Sequence, residues 1–369
     1  MAQIYKRNNK WSYRVNYLDM HGNRKSISRS GFDLKREAEN EADEVERKHR
    51  RGANLSEETI SLIDYYRQWI DLYKSGRHAQ VTEVRYNTID KVIVKYFGNT
   101  KLKDIRKSDY QRFINEYSRG DYNEATGEYK ERSKETVSKT NSYIRAAVQS
   151  AIDDQIIYSN FTNNVVLSGK KSKSGDLKFL ELSDLSKLKQ SVLDEASFTS
   201  VSKYIILTGI LTGARFSEIL ALTWDDIDFE SNTISISKSW DYTYTHTFKP
   251  TKTESSVRTI NINQELADAL NQLKSQQNAY QLKSGWRNRQ NLIFINNRRE
   301  VPSSAAVNKM LRNLQKELHI LSPITFHGLR HTHASYLISK NIDIFYISKR
   351  LGHKNVPVSY THLTLPTKA

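Results

Sequence analysis

The sequence predicts a multidomain chain in three parts: a small β-sheet plus helix N-terminal module, an all-α domain, and a mixed α+β domain, mainly helical, in the C-terminal half. Three observations carry this. Apolar residues recur at a period of two in residues 1–52, at helical spacing in residues 57–167, and in both patterns across 177–369. The changes of period coincide with breaks: polar RGANLSEE (51–58) and basic, Gly/Ser-rich SGKKSKSGD (168–176), which reads as a linker. Finally, 369 residues exceed what one ordinary core organises.

In the first module, Ile4, Trp11, Tyr13, Val15 and Tyr17 alternate along IYKRNNKWSYRVNYLD, and NRKSISRSGF follows after the turn His21-Gly22-Asn23. LKREAENEADEVERKHRR then reads as a helix, giving three strands plus helix. Lys6, Arg7, Lys10, Arg14, Arg24, Lys25 and Arg29 crowd the strands while the acids sit on the helix. A sheet with one basic face is expected to lie against DNA; the plainer alternative is a solvated, Lys-rich surface.

In the second part, Ile63, Tyr66, Trp69, Ile70 and Tyr73 fall at helical spacing, as do Val137, Tyr143, Ile144, Ala147, Val148 and Ile152. RGDYNEATGEYKERS (119–133) reads as a loop between helices. The third part begins with a buried helix at Tyr204–Leu211, a Gly turn, and an amphipathic helix with Phe216, Ile219, Leu220 and Leu222 inward. Strands are expected at 232–238, 256–262 and 291–296, the first two joined by a long polar connection. Helices are expected through Val307–Leu318 and around His331–Lys340 and Ile344–Leu351.

Composition narrows the function. Lys and Arg number 57 against 41 acids, a net charge of +16. Such an excess favours a polyanion, because each neutralised phosphate releases counterions; anionic membrane is the rival. No apolar run of about 18 residues exists to span a bilayer, and MAQIYKRNNK lacks a signal-peptide core. The expected setting is therefore cytoplasmic, with no membrane partner. The absence of Cys excludes disulfides, thiolate metal sites and Cys nucleophiles.

Candidate chemistry begins at Arg215, after a Thr-Gly-Ala turn and at the start of a helix. A cation there opposes the helix dipole, and a bound anion would relieve the conflict; the alternative is a surface ion pair with Glu218. HGLRHTH (327–333) puts His327 and Arg330 on one helical face, with Thr325 as a candidate cap. A planar two-pronged donor beside a group titrating near neutrality reads as a phosphate or carboxylate clamp. The His327–His331 pair lacks the glutamate of a HExxH zinc motif, so no metal is expected. LGHKN (351–355) adds His353, 23 residues beyond Arg330.

Taken together, TGARFSE, HGLRHTHAS and RLGHKN, with LALTWDDIDF and TKTESSVRTI between them, resemble the tyrosine recombinase (phage-type integrase) family. The resemblance covers the C-terminal half, and the earlier parts are similar to the arm-binding and core-binding domains of phage and conjugative-transposon integrases. It implies that Arg215 and Arg330 hold the non-bridging oxygens of a scissile phosphate. It further implies that His327 bonds that phosphate, that Lys252 protonates the leaving 5′-oxygen (Lys249 being the near competitor), that His353 supports the phosphate and that Glu218 steadies the pocket. The nucleophile is expected to be a tyrosine. Its phenol, with a pKa of about 10, needs positioning among cations to attack, and the phosphotyrosyl ester conserves the broken bond's energy.

Tyr360 is the sole Tyr after His353. Its SYTHL context is similar to the family's, yet it stands closer to His353 than in relatives, and Pro357 interrupts the expected helix. The tail after Val356 reads as atypical or truncated. The family further implies double-stranded DNA with core and arm sites, a tetramer on DNA, accessory excision or DNA-bending proteins, and no cofactor. The rivals are an impaired relative that only binds DNA, a metal-dependent nuclease or phosphatase built on the His cluster, and a type IB topoisomerase.

Overall fold

A computed structural model describes residues 2–18, 22–50, 60–77, 80–171 and 179–353. The chain divides into two compact units, Met1–Gly175 and Asp176–Ala369.

In the first unit, β1 (Gln3–Arg7), β2 (Lys10–Leu18) and β3 (Arg24–Phe32) form an antiparallel sheet in that order, followed by α1 (Lys35–Arg50). The first alternating run supplies two strands because Asn8 and Asn9 both adopt positive φ, 48° and 61°, as a tight hairpin requires and Asn tolerates. Tyr13, Val15 and Tyr17 point to one face, where Ala42 and Val45 of α1 bury them. His21 of the second turn lies outside the described residues.

The helical part packs α2 (Leu62–Tyr73), α3 (Gln80–Phe97), α4 (Lys107–Arg119) and α5 (Lys134–Asp153) around Leu62, Tyr66, Ile93, Tyr110, Ile114 and Ile144. Ser61 and Ser133 cap α2 and α5, their hydroxyls accepting from the Asp64 and Thr136 amides. The segment 119–133 is more than a loop. It holds a hairpin, β4 (Asp121–Asn123) with β5 (Glu128–Lys130), in which Tyr122 faces Tyr129 with ring centroids 5.1 Å apart. Strands this short and exposed leave no readable alternation. The start of the basic linker is also held: the Lys170 amide donates to Arg132 O, and Lys170 O accepts from the Lys134 amide.

The second unit is mixed and mainly helical. α6 (Leu182–Glu195) precedes α7 (Val201–Thr212), which is buried on every side, hence its continuous apolar text, and extends beyond the expected Tyr204–Leu211. α8 (Phe216–Leu220) is a helix of five residues. Next come β6 (Ile227–Asp228), β7 (Thr233–Ile236), β8 (Lys238–Trp240), β9 (Phe248–Pro250) and β10 (Arg258–Asn261). One sheet runs β10–β7–β6, while β8 and β9 form a separate hairpin within the connection that reads only as polar. The described residues end with α9 (Gln264–Ser284), α10 (Ser304–Glu317), α11 (Phe326–Ser339) and α12 (Ile344–Leu351).

The expected strand at 291–296 is a correction. Leu292, Ile293 and Phe294 are buried, but the segment makes a single bridge, Leu292 with Thr223. That bridge consists of the Ile293 amide donating to Leu222 O and the Trp224 amide donating to Asn291 O, and Gln277 of α9 donates to Ile293 O. Burial without a ladder gives the same apolar text as a strand.

Candidate active site

The site is built where three chain reversals meet. α7 stops at Gly213, whose φ of 65° permits a left-handed turn; a Cβ there would come within 2.8 Å of the His333 ring and of Leu351. The turn makes Arg215 the N-cap of α8. The expected conflict with the helix dipole is answered from within. The Glu218 carboxylate accepts from the Arg215 backbone N–H at 3.0 Å and from Arg215 Nη1 at 2.7 Å. This is the ion pair weighed as a surface feature, but Glu218 is only 2% exposed. Burial pushes its carboxyl pKa up, yet Arg258 and Arg215 together hold it below the usual carboxylate value, so it stays ionised.

α11 carries the second arginine. Thr325 stands at its N-cap but makes no side-chain capping bond; Asn308 of α10 instead accepts from the Phe326 amide at 2.9 Å. Arg330 is 6% exposed and donates to Gly213 O at 2.8 Å and Leu351 O at 2.6 Å. Burial and the neighbouring Arg215 push its pKa down to about 9, with Glu218 opposing, so the guanidinium is still cationic at neutral pH. His327, exposed one turn earlier on the same helix, stands edge-on to His331 at 4.9 Å between ring centroids.

Arg215, His327 and Arg330 line one cleft of about 600 Å³, with Ser217, Asn308 and Arg312 among its other walls. A concave site with a surplus of fixed guanidinium charge is suited to a phosphodiester: non-bridging oxygens meet planar donors already oriented, and charge developing during displacement is neutralised without reorganisation.

The other expected residues are placed less centrally. Lys252 is exposed and lines none of the clefts around Arg215 or His353. It lies four positions before buried Ser256, whose hydroxyl accepts from Arg215 Nη1 at 3.1 Å. Its competitor Lys249 stands 3.8 Å from Asp241 in an ion pair. His353 lines a neighbouring pocket with Arg258 and Arg350, although O of the adjacent Gly352 accepts from Arg215 Nη2 at 3.1 Å. Tyr360 and Pro357 lie outside the described residues.

In the N-terminal sheet the cations divide between two faces. Cross-strand pairing puts Arg7, Lys10, Arg14 and Arg24 on the face away from α1, whereas Lys6 and Lys25 pair with Trp11 and Tyr17 on the helix-covered side. Lys10 is paired with Asp33, and Arg29 with Glu41 of α1. The expected single basic face is thus narrower than composition implies.

Sequence reading missed Arg258. It donates to Glu218 Oε2 at 2.9 Å, Arg350 O at 2.6 Å and Ser256 O at 2.7 Å, with its side chain 6% exposed. The available signal was phase: Arg258 stands two residues from buried Ile260 on β10, so it shares the inward face. His333 is also structural. Its Nδ1–H donates to Ile210 O and its Nε2 accepts from Arg350, fixing the neutral form. Burial and Arg350 push its pKa down to about 3. Among the described residues, no group of three or more His, Asp or Glu side chains is arranged to hold a metal ion, and no helix is long and apolar enough to cross a membrane.

Fold and cleft together define a class: a small sheet-and-helix module and a helical domain, followed by a mixed domain whose cleft gathers two arginines and a histidine. Comparison with known proteins agrees. The phage integrase family profile matches residues 178–365, an arm DNA-binding domain matches 3–49, and the N-terminal SAM-like domain of phage integrases matches 61–118. The integrase of Staphylococcus phage L54a is 24% identical over 338 residues, covering 82% of this chain and 88% of its own. The ICEBs1 integrase of Bacillus subtilis is 31% identical over 166 residues, 44% of this chain and 45% of its own. The Tn1549 transposon integrase in complex with circular intermediate DNA shares the fold with TM-score 0.65 and 18% identity, over 84% of this chain and 96% of its own. A lambda integrase dimer bound to a core site does so with TM-score 0.56 and 18% identity, over 97% and 93%. The chain belongs to the phage integrase family, the tyrosine recombinases.

Proposed function

We propose that this chain is the site-specific recombinase of a mobile element, cutting and rejoining DNA through a 3′-phosphotyrosyl intermediate. The observation that carries this reading is the convergence of Arg215, His327 and Arg330 on one open cleft. Arg215 and Arg330 neutralise the non-bridging oxygens of the scissile phosphate. His327 donates to the same group and takes the nucleophile's proton, His353 supports the phosphate and Lys252 protonates the 5′-oxygen leaving group. Glu218 fixes Arg215. Tyr360 is the attacking phenol. The bond to the 5′-oxygen breaks as the phosphotyrosyl bond forms, and the reverse attack by a 5′-hydroxyl restores the DNA with no nucleotide cofactor. The guanidinium, imidazole and ammonium groups supply the charge that many nucleases take from a metal.

Residues 1–52 would serve arm-type sites, through Arg7, Lys10, Arg14 and Arg24 on the open face, with Lys6 and Lys25 on the helix-covered side adding to the positive field. Residues 57–167 and 177–369 would each contact a core site in a cytoplasmic, DNA-associated complex. The lambda integrase, similar in fold, is known as a tetramer bound to a Holliday junction, which supports a tetramer here; accessory excision or DNA-bending proteins would set its direction. A relative confined to DNA binding is not favoured, because the charged cleft is complete in its arginines.

The test is covalent trapping. A nicked suicide duplex, built on the site the chain selects from a randomised library, should yield a protein–DNA adduct in the presence of a chelator. Tyr360→Phe should abolish it. An adduct persisting in that variant contradicts the nucleophile, and tight binding with no wild-type adduct contradicts the enzyme.

A further inference from the structure

We infer that Arg258 is a positioning residue for the strand-cleavage step, acting through Glu218 on Arg215 and through the end of α12 on the segment that carries His353. This rests on the recombinase reading above.

Three successive carbonyls close α12, and each accepts from a different arginine. Arg350 O accepts from Arg258 Nε at 2.6 Å, Leu351 O from Arg330 Nη2 at 2.6 Å, and Gly352 O from Arg215 Nη2 at 3.1 Å. The last carbonyls of a helix are its unpaired, negative end, so the arginines both cap α12 and draw it against the cleft. Gly352, at φ 68°, permits this approach: a Cβ would stand 3.0 Å from Arg258 Nη1 and from Ser255 O.

Of the three arginines, Arg258 alone lies outside the cleft. Its guanidinium is spent on protein atoms, with Nη2 on Glu218, Nε on Arg350 O and Nη1 on Ser256 O. Ser256 in turn accepts from Arg215 through its hydroxyl. Arg258 therefore joins the acid that orients the first arginine, the backbone of the serine whose hydroxyl meets that arginine, and the helix end leading to His353. A lysine has one nitrogen and cannot span the three.

Arg258 also keeps Glu218 charged. The charged groups facing that carboxylate are Arg215 at the start of α8, Arg258 from β10 and Arg330 from α11. Without Arg258, burial acts on Glu218 against Arg215 and the more distant Arg330 alone, and its pKa rises. Protonated Glu218 cannot hold Arg215 by charge, so cleavage in such a variant should weaken as pH falls.

The experiment uses the full-length protein and the nicked suicide duplex built on its selected site, with adduct formation followed in a single turnover. Arg258→Gln should bind the duplex with affinity within about twofold of wild type while adduct formation slows by about a hundredfold. Its rate should fall as pH is lowered, more steeply than that of the wild type. Glu218→Gln/Arg258→Gln should lose that pH dependence and be no slower than Arg258→Gln, because both changes break one linkage. Arg258→Lys keeps the buried charge and decides the matter should the glutamine variant fail to fold; it should be folded, bind normally and cleave roughly tenfold slowly.

Wild-type cleavage by Arg258→Lys, a loss fully accounted for by weaker DNA binding, or losses that multiply in the double variant would each overturn the positioning role. No adduct from the wild type would instead overturn the recombinase reading on which it stands.

Discussion

His333 illustrates how one motif divides into unlike roles. In HGLRHTH, His327 faces the cleft, Arg330 reaches under it, and His333 is buried with both nitrogens engaged. Its pKa, lowered to about 3 against an unfolded value of 6.5, has a consequence for stability. Between those values the unfolded chain binds the extra proton. The stability due to neutral His333 is therefore complete above about pH 6.5 and is lost as pH falls toward about 3. Chemical denaturation from pH 7 to pH 4.5 should show a steep loss for the wild type, and a shallower one in His333→Gln. Equal slopes would mean that His333 is not held neutral. Glu218→Ala, which leaves Arg258 and Arg215 without their shared anion, should cost about 3–5 kcal/mol in the same assay.

The elements act through their ends more than their lengths. α7 terminates at Gly213, α8 begins at Arg215, and α12 terminates at Gly352, so the cleft is assembled from caps. Gly213→Ala meets both a positive φ and the His333 and Leu351 side chains; a loss of about 2–4 kcal/mol in unfolding free energy is expected. A variant as stable as wild type would show that the turn relaxes freely.

Legibility follows the same line. Periodicity exposes α2, α5 and α10 because each buries one stripe, and the spacing of His327 and Arg330 exposes a shared face. Periodicity cannot separate a strand from the buried, bridge-only segment at Leu292–Phe294, and it cannot detect the β4–β5 hairpin, whose short strands are exposed throughout. Lys252 is anonymous without relatives, and His353 gains a role only through them. Arg258 was legible from strand phase as inward-facing but not as a linking residue, since that role is recognised by the carboxylate and carbonyls that meet it, and these come from α8 and α12.

At the scale of the whole molecule, the proposed function assigns the excess of basic residues to DNA binding and the cleft to chemistry. A chain of charge +16 that neutralises about six to ten phosphates should lose about a thousandfold or more in DNA affinity between 50 and 200 mM salt. Fluorescence anisotropy on a labelled duplex measures the slope, and a flat response would deny that phosphate contacts dominate. Replacing Arg7, Arg14 and Arg24 together should reduce that slope for arm-type duplexes without altering cleavage at a core duplex, since these side chains lie on a separate module.

The central claim is that Arg215 and Arg330 act by neutralising the phosphate's own charge. Single-turnover cleavage of a suicide duplex bearing an uncharged methylphosphonate at the scissile position tests this most directly. Arg215→Ala and Arg330→Ala should each be impaired by at least about a hundredfold on the natural phosphodiester, and should recover most of that loss on the methylphosphonate, where there is no negative charge left to neutralise. Variants equally impaired on both substrates would contradict the account.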